Sequence, residues 1–560
     1  MATFFSQRFA DKKTQRGTNS STTKLSNTKP QTSFFPFAIN NIFAYFRPIK
    51  ISKNSKMYIK DLSSCEGKEV TLQGWAANKR DSKGLVFLYL RDGTGMCQCV
   101  VALEVVGEEK FNEAKKITLE SSFSITGKVV KDEKQIGGFE IQATDINVIS
   151  YADEFPIAKK EHGVDFLMDH RHLWLRSQRQ WAIMKIRNRI IFSIHQFFQE
   201  DGFVEMDAPI FTGNACEGTS NLFESDFYGD PAYLSQSGQL YGEAMAMAMG
   251  KIYTFGPTFR AEKSKTRRHL SEFWMIEPEM AFYDIFQNMD LIENFLRRVV
   301  SDVLRDCKSE LEIIGRDTSV LEQIVKPFPR LTYDEAVHII KGEQDVDGKN
   351  SITSLEDELK TIISRIEEVK KEIEEREEKI KTPNMKKGEI GFNQAKIDKL
   401  KQEQNELEEQ SRNIPQWLSS ARNFEYGNDF GGSDETVITR LFDVPIMVYN
   451  WPHEVKAFYL KRDPNDSRFA RGVDVLAPEG YGEIVGGGER ETDEKLLREK
   501  ITEHQLPMDA FEWYLDLRKY GSVPHAGFGL GLERVVTWVC KLPHVRESIP
   551  FPRMYGRLLP

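Results

Sequence analysis

The stretch from Tyr253 to Glu279 constrains the fold more than any other. Its ends, Tyr253-Thr254-Phe255-Gly256-Pro257-Thr258-Phe259 and Phe273-Trp274-Met275-Ile276, are rich in aromatic and β-branched residues. Its middle carries Lys263, Lys265, Arg267 and Arg268. This pattern predicts a strand, a charged hairpin tip and a return strand, so the chain must build an antiparallel sheet around it. Arg260 and Phe273 at the base could hold a phosphate and a flat ring. A solvated surface turn is the plainer reading of the same residues.

A second stretch alternates glycine with apolar residues: Gly527-Phe528-Gly529-Leu530-Gly531-Leu532-Glu533-Arg534. It lacks the G-x-G-x-x-G spacing of a dinucleotide loop. It predicts a strand whose glycines let something flat approach one face, with Arg534 at the start of the next helix.

The chain has 560 residues and a formal net charge of −9. Length allows two or three domains. A nucleic-acid partner would have to be held by local basic patches rather than by the overall field. No apolar run is long enough for a transmembrane helix, and no membrane partner is expected. The six cysteines are scattered, which fits a reduced compartment, the cytoplasm. Cys97-x-Cys99 lacks the second pair or histidine that a metal site needs.

Residues 1–56 carry ten Lys/Arg and one acid, Asp11. Such a basic, Ser-rich segment reads as a transit peptide, which would place the chain in an organelle, or as a disordered tail or an upstream start before Met57. Residues 58–150 read as five short strands with a helix after the third, the pattern of an OB-fold barrel. Phe87 and Tyr89 share one face, and simple pairing puts Phe87 beside Arg80 and Gln98. These aromatics either stack bases or fill the barrel. A linker, 151–180, leads into a second domain, 181–560. It begins with an amphipathic helix from about Ser177 to Gln199, with Ile183, Ile186, Ile190, Ile194 and Phe197 at helical spacing. The following Gly202…Pro209 segment suits a dimer interface. Within the second domain, residues 343–420 show apolar 3-4 spacing from Ile352 to Ile380. A loop at Lys386–Gly391 and a shorter returning helix follow. Together they predict an inserted antiparallel coiled-coil hairpin. Residues 351–380 carry ten acids and six bases, which argues against RNA contact by the first helix.

Taken together, the hairpin, the Gly202…Pro209 segment and the Gly527…Arg534 strand resemble the signature set of class II aminoacyl-tRNA synthetases. The preceding OB-like domain is similar to that of the aspartate/asparagine/lysine subgroup. Within it, Gly256-Pro257-Thr258-Phe259-Arg260-Ala261-Glu262, Arg268-His269-Leu270-Ser271-Glu272-Phe273, Pro524-His525-Ala526-Gly527 and Ile549-Pro550-Phe551-Pro552-Arg553 most resemble the asparaginyl branch. The resemblance implies an α+β architecture: an anticodon-binding barrel, then an antiparallel sheet flanked by helices, in a homodimer. It implies ATP and Mg²⁺, and tRNA(Asn) and asparagine as partners.

The resemblance also implies roles. Arg260 would meet the ATP α-phosphate, and Glu262 would help orient ATP and the tRNA end. Arg268 or His269 would reach the terminal phosphates. Phe273 and Arg534, beside Gly531, would sandwich adenine. Asp474 and Glu483 would hold Mg²⁺. Glu217 would pair with the substrate ammonium, and Gln239 and Arg490 would complete the amino-acid pocket. Arg80, Phe87 and Gln98 would contact the anticodon. Where aspartyl enzymes carry a lysine, this chain has Gly242 followed by Glu243, an acid that could accept a hydrogen bond from an amide. This favours asparagine. An aspartyl enzyme and a non-catalytic RNA-binding relative are the competing readings. Gly242 argues against the first, and Arg260, Glu262, Phe273, Glu483 and Arg534 argue against the second. Gly488-Glu489 and the loop Ala477–Tyr481 depart from the usual pattern.

Overall fold

The computed structural model describes residues 56–560, apart from 158–159, 161, 214–221 and 383–384. The basic segment 1–55 and Glu217 therefore lie outside the described residues. The chain divides into two compact units, up to Glu154 and from Phe155 onward.

The first unit is a closed five-stranded barrel in the order β1-β2-β3-β5-β4. Its strands are β1 (Glu69–Ser82), β2 (Leu85–Arg91), β3 (Met96–Ala102), β4 (Ser122–Lys131) and β5 (Phe139–Ser150). The helical segment Leu103–Lys116 follows β3 and is broken at Gly107, whose φ of 79° is non-helical, so a helix runs from Glu108 to Lys116 after the kink. Strict alternation on β2 sends Val86, Leu88 and Leu90 into the core and leaves Phe87 and Tyr89 half-buried on the outer face. The aromatics therefore do not fill the barrel. Arg80 pairs with Phe87 across β1 and β2, its guanidinium 4.5 Å from the ring centroid. Gln98 sits opposite Tyr89 rather than Phe87, because β2 and β3 pair with Phe87 against Val100. Cys97 and Cys99 are both buried free thiols on β3, packed as core residues.

The second unit is built on an eight-stranded sheet in the order β12-β13-β14-β15-β16-β11-β10-β6. The short β6 (Val204–Glu205) pairs parallel to β10 (Lys251–Phe259), which forms the expected hairpin with β11 (Glu272–Ala281), Phe259 opposite Glu272. A small separate sheet holds β7 (Phe211–Thr212), β8 (Glu224–Phe227) and β9 (Asp230–Leu234). The far side of the large sheet comprises β12 (Arg330–Thr332), β13 (Ile446–Pro452), β14 (Phe469–Ala477), β15 (Gly482–Glu489) and β16 (His525–Gly531). A short helix, Gly432–Thr439, precedes β13.

Period-2 alternation divides this sheet into a packed face and a working face. Ile276, Val473, Val475, Val485, Phe528 and Leu530 point into one core with the helices Gln178–Glu200, Ile285–Asp306 and Leu532–Val539. Ser177 caps the first of these helices, as its sequence predicts.

The insertion is an antiparallel helix pair, Ser351–Ile380 and Lys387–Arg422. Val369 and Ile373 pack on Ile397 and Leu400, while Leu355, Ile362 and Ile366 join Ile414 and Leu418 in a core shared with Tyr333 and Trp451. The returning helix is the longer of the two and begins at Lys387. The expected loop up to Gly391 is helical, and Pro415 is accommodated inside the helix. The apolar seam continues past Leu407 to Leu418, which carries the helix on against the domain core.

Candidate active site

The working face is formed by the positions that alternate with those core residues on the same strands. Glu277 and Glu279 on β11, Asp474 on β14, Gly486 on β15 and Gly527 and Gly529 on β16 all face it. Gly486 pairs with both Asp474 and Gly529, so the two central strands carry no side chain where the carboxylates converge. A Cβ on Gly527 would stand 2.2 Å from Glu279 Oε1, so this position requires glycine. The alternating glycines read from sequence thus make room for acids projecting from neighbouring strands.

One pocket on this face is lined by Arg260, Arg268, His269, Phe273, Glu483, Gly531 and Arg534 together with Met275 and Ile484. These are the seven residues expected around a nucleotide, apart from Glu262. Arg260 lies with its guanidinium 5.5 Å from the Phe273 ring centroid. Its Nε is shielded from solvent without a hydrogen-bond partner, and among the described residues no carboxylate lies within 4.0 Å of it. An arginine held this way is an unspent cation at the base of the hairpin. Arg534 Nη1 donates to the Glu483 carbonyl and to Glu483 Oε2, both at 2.9 Å. Glu262 does not line the pocket, but it is near enough to favour the charged forms of His269 and Arg534. Burial, followed by the Arg534 charge, lowers His269, so the ring enters neutral solution uncharged.

Arg268 is largely committed within the protein. It donates to Glu435 at 2.6 Å, to Thr436 Oγ1 at 2.8 Å and to the Gly480 carbonyl at 2.7 Å. Burial pushes Glu435 up to about 7, against the pull of Arg268.

A second cavity of about 250 Å³ adjoins the first through Arg260, Met275, Glu483 and Gly529. Gln239, Glu277, Glu279, Lys456, Asp474 and Arg490 line its wall. Arg490 is fully buried and grips Glu279 with Nη2–Oε1 at 2.5 Å and Nε–Oε2 at 3.3 Å. Burial pushes Glu279 up to about 7, with Arg490 pulling the other way. Ser237 Oγ and the Gly238 amide both donate to Glu277.

Glu243 does not line this cavity. It is fully buried behind Gln239, accepting from Tyr514 Oη at 2.7 Å, Arg518 Nη2 at 2.7 Å, His525 Nε2 at 3.0 Å and Gln239 Nε2 at 3.1 Å. Burial would raise its carboxyl, but Arg518, His525 and Arg490 outweigh burial and hold it well below the usual range. Its helix, Gln239–Met249, turns it a full turn away from Gln239, toward Tyr514 and Arg518. The acid that faces the cavity beside Arg490 is Glu279. Its signal in the sequence was the Glu277-x-Glu279 alternation opposite the glycine strand. Glu489, noted as a departure, is bound by Lys461 at 2.7 Å and Arg471 at 2.8 Å, outside the cavity wall.

Asp474 and Glu483 converge over Gly486. A Cβ there would lie 3.0 Å from Glu483 Oε1 and 3.6 Å from Asp474 Oδ1. Lys456, not foreseen from sequence, bonds Asp474 at 2.6 Å. Burial pushes Asp474 up to about 7, and Glu483 adds to the rise. Each of these two close carboxylates already holds one cation, Lys456 on Asp474 and Arg534 on Glu483, and their remaining oxygens suit a hard divalent cation that draws its other ligands from a substrate. Among the described residues no cluster of three acids, histidines or cysteines forms a closed metal site.

With this geometry in hand, comparison with known proteins is decisive. Residues 163–555 match the model for tRNA synthetases class II (D, K and N), and residues 70–149 match that for an OB-fold nucleic acid binding domain. The chain belongs to the class II tRNA synthetases. It is 50% identical over 501 residues to the asparagine–tRNA ligase of Sorangium cellulosum, covering 89% of this chain and 98% of that protein. It is 46% identical to the enzyme of the same name from Desulforamulus reducens, over 90% of this chain and 99% of that one. The crystal structure of asparaginyl-tRNA synthetase from Pyrococcus horikoshii with asparaginyl-adenylate superposes with a TM-score of 0.75 at 37% identity. That match covers 90% of this chain and all of the other. The barrel and the glycine-lined sheet of this class II synthetase are thus the two parts its sequence announced. Class II membership makes the chain an aminoacyl-tRNA ligase that uses ATP. Among the described residues no helix is long and apolar enough to cross a membrane.

Proposed function

We propose that this synthetase attaches asparagine to tRNA(Asn) through an asparaginyl-adenylate. The observation that carries the reading is the Arg490–Glu279 pair on the cavity wall. It presents a hydrogen-bond donor and an acceptor side by side, complementary to the oxygen and NH₂ of a carboxamide. An aspartate carboxylate would set its second oxygen against Glu279. The relatives named asparagine–tRNA ligase support the same choice.

In the first step an asparagine carboxylate oxygen attacks the α-phosphorus of ATP, and pyrophosphate leaves. Arg260 offsets charge on the phosphate, while Phe273 and Arg534 hold adenine beside Gly531. His269 and Arg268 lie toward the terminal phosphates. Gln239 and Arg490 seat the amino acid, together with Glu217 for its ammonium. In the second step the terminal ribose hydroxyl attacks the acyl carbon and AMP leaves, with Glu262 orienting the tRNA end. Catalysis is by positioning and electrostatics, without a protein nucleophile. Asp474 and Glu483 would hold Mg²⁺, whose charge neutralises phosphate oxygens when bound.

The barrel, taken as 58–150, reads the anticodon with Arg80, Phe87 and Gln98. Residues 151–180 link it to the catalytic domain, 181–560, which carries the 343–420 insertion. A homodimer is supported by exposed apolar residues around the segment read as an interface: Phe192, Val204, Ile210 and Phe211 are 40–60% exposed. The cytoplasm is the proposed location. Amino-acid-dependent ATP–pyrophosphate exchange tests the function. Exchange with asparagine and its loss in Arg260→Ala are expected. Exchange with aspartate alone would overturn the substrate.

A further inference from the structure

The inserted helix pair is polarised along its length. Residues 351–378 carry ten acids and five bases, and residues 402–422 carry four acids and two bases. The far end, residues 379–401, reverses this with seven lysines and two acids. Along the acidic shaft many of the charges are paired within the protein. Glu403 takes Arg365, Glu372 takes Arg376, Glu408 lies by Lys370, and Arg422 and Arg440 pair with Glu356 and Glu358. At the far end only Lys401 is paired, with Glu377. Lys379, Lys381, Lys386, Lys387, Lys396 and Lys399 are all exposed, and among the described residues none lies within 4.0 Å of a carboxylate. Phe392 stands among them, 63% exposed.

The seam that holds the pair needs none of these lysines, since Val369, Ile373, Ile397 and Leu400 close it. The packing of the arm therefore does not account for these lysines. A helix of the arm's length carries them about 45 Å from its root. The root lies against a groove of about 1080 Å³ lined by Gln402, Gln410 and Asn413 of the arm and by Arg267 of the β10–β11 hairpin. The same groove also carries Glu358, Glu406, Glu409, Asp443, Glu479 and Glu547, so the far end of the arm, and not its root, is the surface suited to a polyanion.

We infer that the lysine-rich end of the inserted arm is a second tRNA contact, binding the phosphate backbone of the substrate without reading its sequence. The inference rests on the tRNA ligase reading above. It explains why acid dominates the arm elsewhere: repulsion along the shaft leaves attraction at its end. Phe392 adds an apolar surface for a ribose or an exposed base.

The test is tRNA binding by the full chain across a series of salt concentrations. The comparison is between the parent and the triple variant Lys386→Glu/Lys387→Glu/Lys396→Glu, with far-ultraviolet circular dichroism confirming the helices. The expected result is roughly tenfold weaker binding at low salt, with the slope of log K against log salt reduced by about 2 to 3. The neutral triple Lys→Gln should fall between the two. Asparagine-dependent ATP–pyrophosphate exchange should be unchanged in both variants. Unchanged tRNA affinity and slope in the charge-reversed variant would overturn the inference, whatever other partner the arm binds. Loss of asparagine-dependent exchange in the parent chain would instead overturn the activity reading.

Discussion

Arg268 Nη1 lies 2.6 Å from Glu435 Oε2, and the same oxygen accepts the Glu483 amide at 3.2 Å. One buried carboxylate thus fixes the hairpin arginine and the strand that supplies a pocket acid. Glu435 sits on the helix that follows the inserted arm, and Ser420 of the arm bonds Asp434 beside it at 2.6 Å. Glu435→Gln keeps the shape and weakens the grip on Arg268. The KM for ATP in pyrophosphate exchange should rise about tenfold, roughly 1.4 kcal/mol, while the KM for asparagine stays within about twofold. Combined with Arg268→Ala the effects should not add. Equal changes in both KM values would contradict this placement.

Glu243 is the anchor behind the cavity proposed for the amino acid. Its carboxylate meets Arg518, Tyr514, His525 and Gln239 with no exposed surface. Replacing it by Gln leaves Arg518 buried without its countercharge, a loss of about 3–5 kcal/mol. Thermal unfolding should show it as a large fall in Tm. A Tm within a degree or two of the parent would mean the cluster is not structural.

Glu479 provides a pH test. It is held by Arg316 at 2.5 and 3.0 Å and by Lys541 at 2.8 Å, with the Arg316 side chain fully buried. Burial works against its ionisation, but these cations lower its carboxyl below the ordinary 4.5. A lowered folded-state value means the stability it contributes is complete above 4.5 and is lost as pH falls through that lowered value. Glu479→Gln should therefore cost about 3 kcal/mol in urea unfolding at pH 7, and the difference from the parent should shrink in acid. A difference independent of pH would refute the charge pairing.

Phe87 is half-buried on the outer face of the barrel with Arg80 over its ring. Stacking of one base is worth about 1–3 kcal/mol. Phe87→Ala should raise the KM for tRNA roughly fivefold to a hundredfold while leaving adenylate formation unchanged. An unaltered KM for tRNA would remove Phe87 from the anticodon site.

Much of this molecule was legible because its patterns are local. Alternation on β2 and β16, the 3-4 spacing of the arm and the charged hairpin each determine their own element. That Arg260, Phe273, Gly531 and Arg534 line one pocket was legible for the same reason, since they sit in two compact motifs. What escaped depends on partners distant in sequence. Arg268 and Glu435 are 167 positions apart, and Arg490 and Glu279 are 211 apart. Glu243 follows Gly242 where a pocket residue is expected, yet the helix turns it toward Arg518. Lys456 gains meaning only when β14 brings Asp474 beside it.

The amino acid placed on tRNA decides the substrate assignment. The direct measurement supplies purified chain with ATP, tRNA and equal concentrations of asparagine and aspartate, then identifies by mass spectrometry the amino acid released from the charged tRNA. The pairing of Arg490 with Glu279 predicts asparagine. Aspartate as the released amino acid would contradict it.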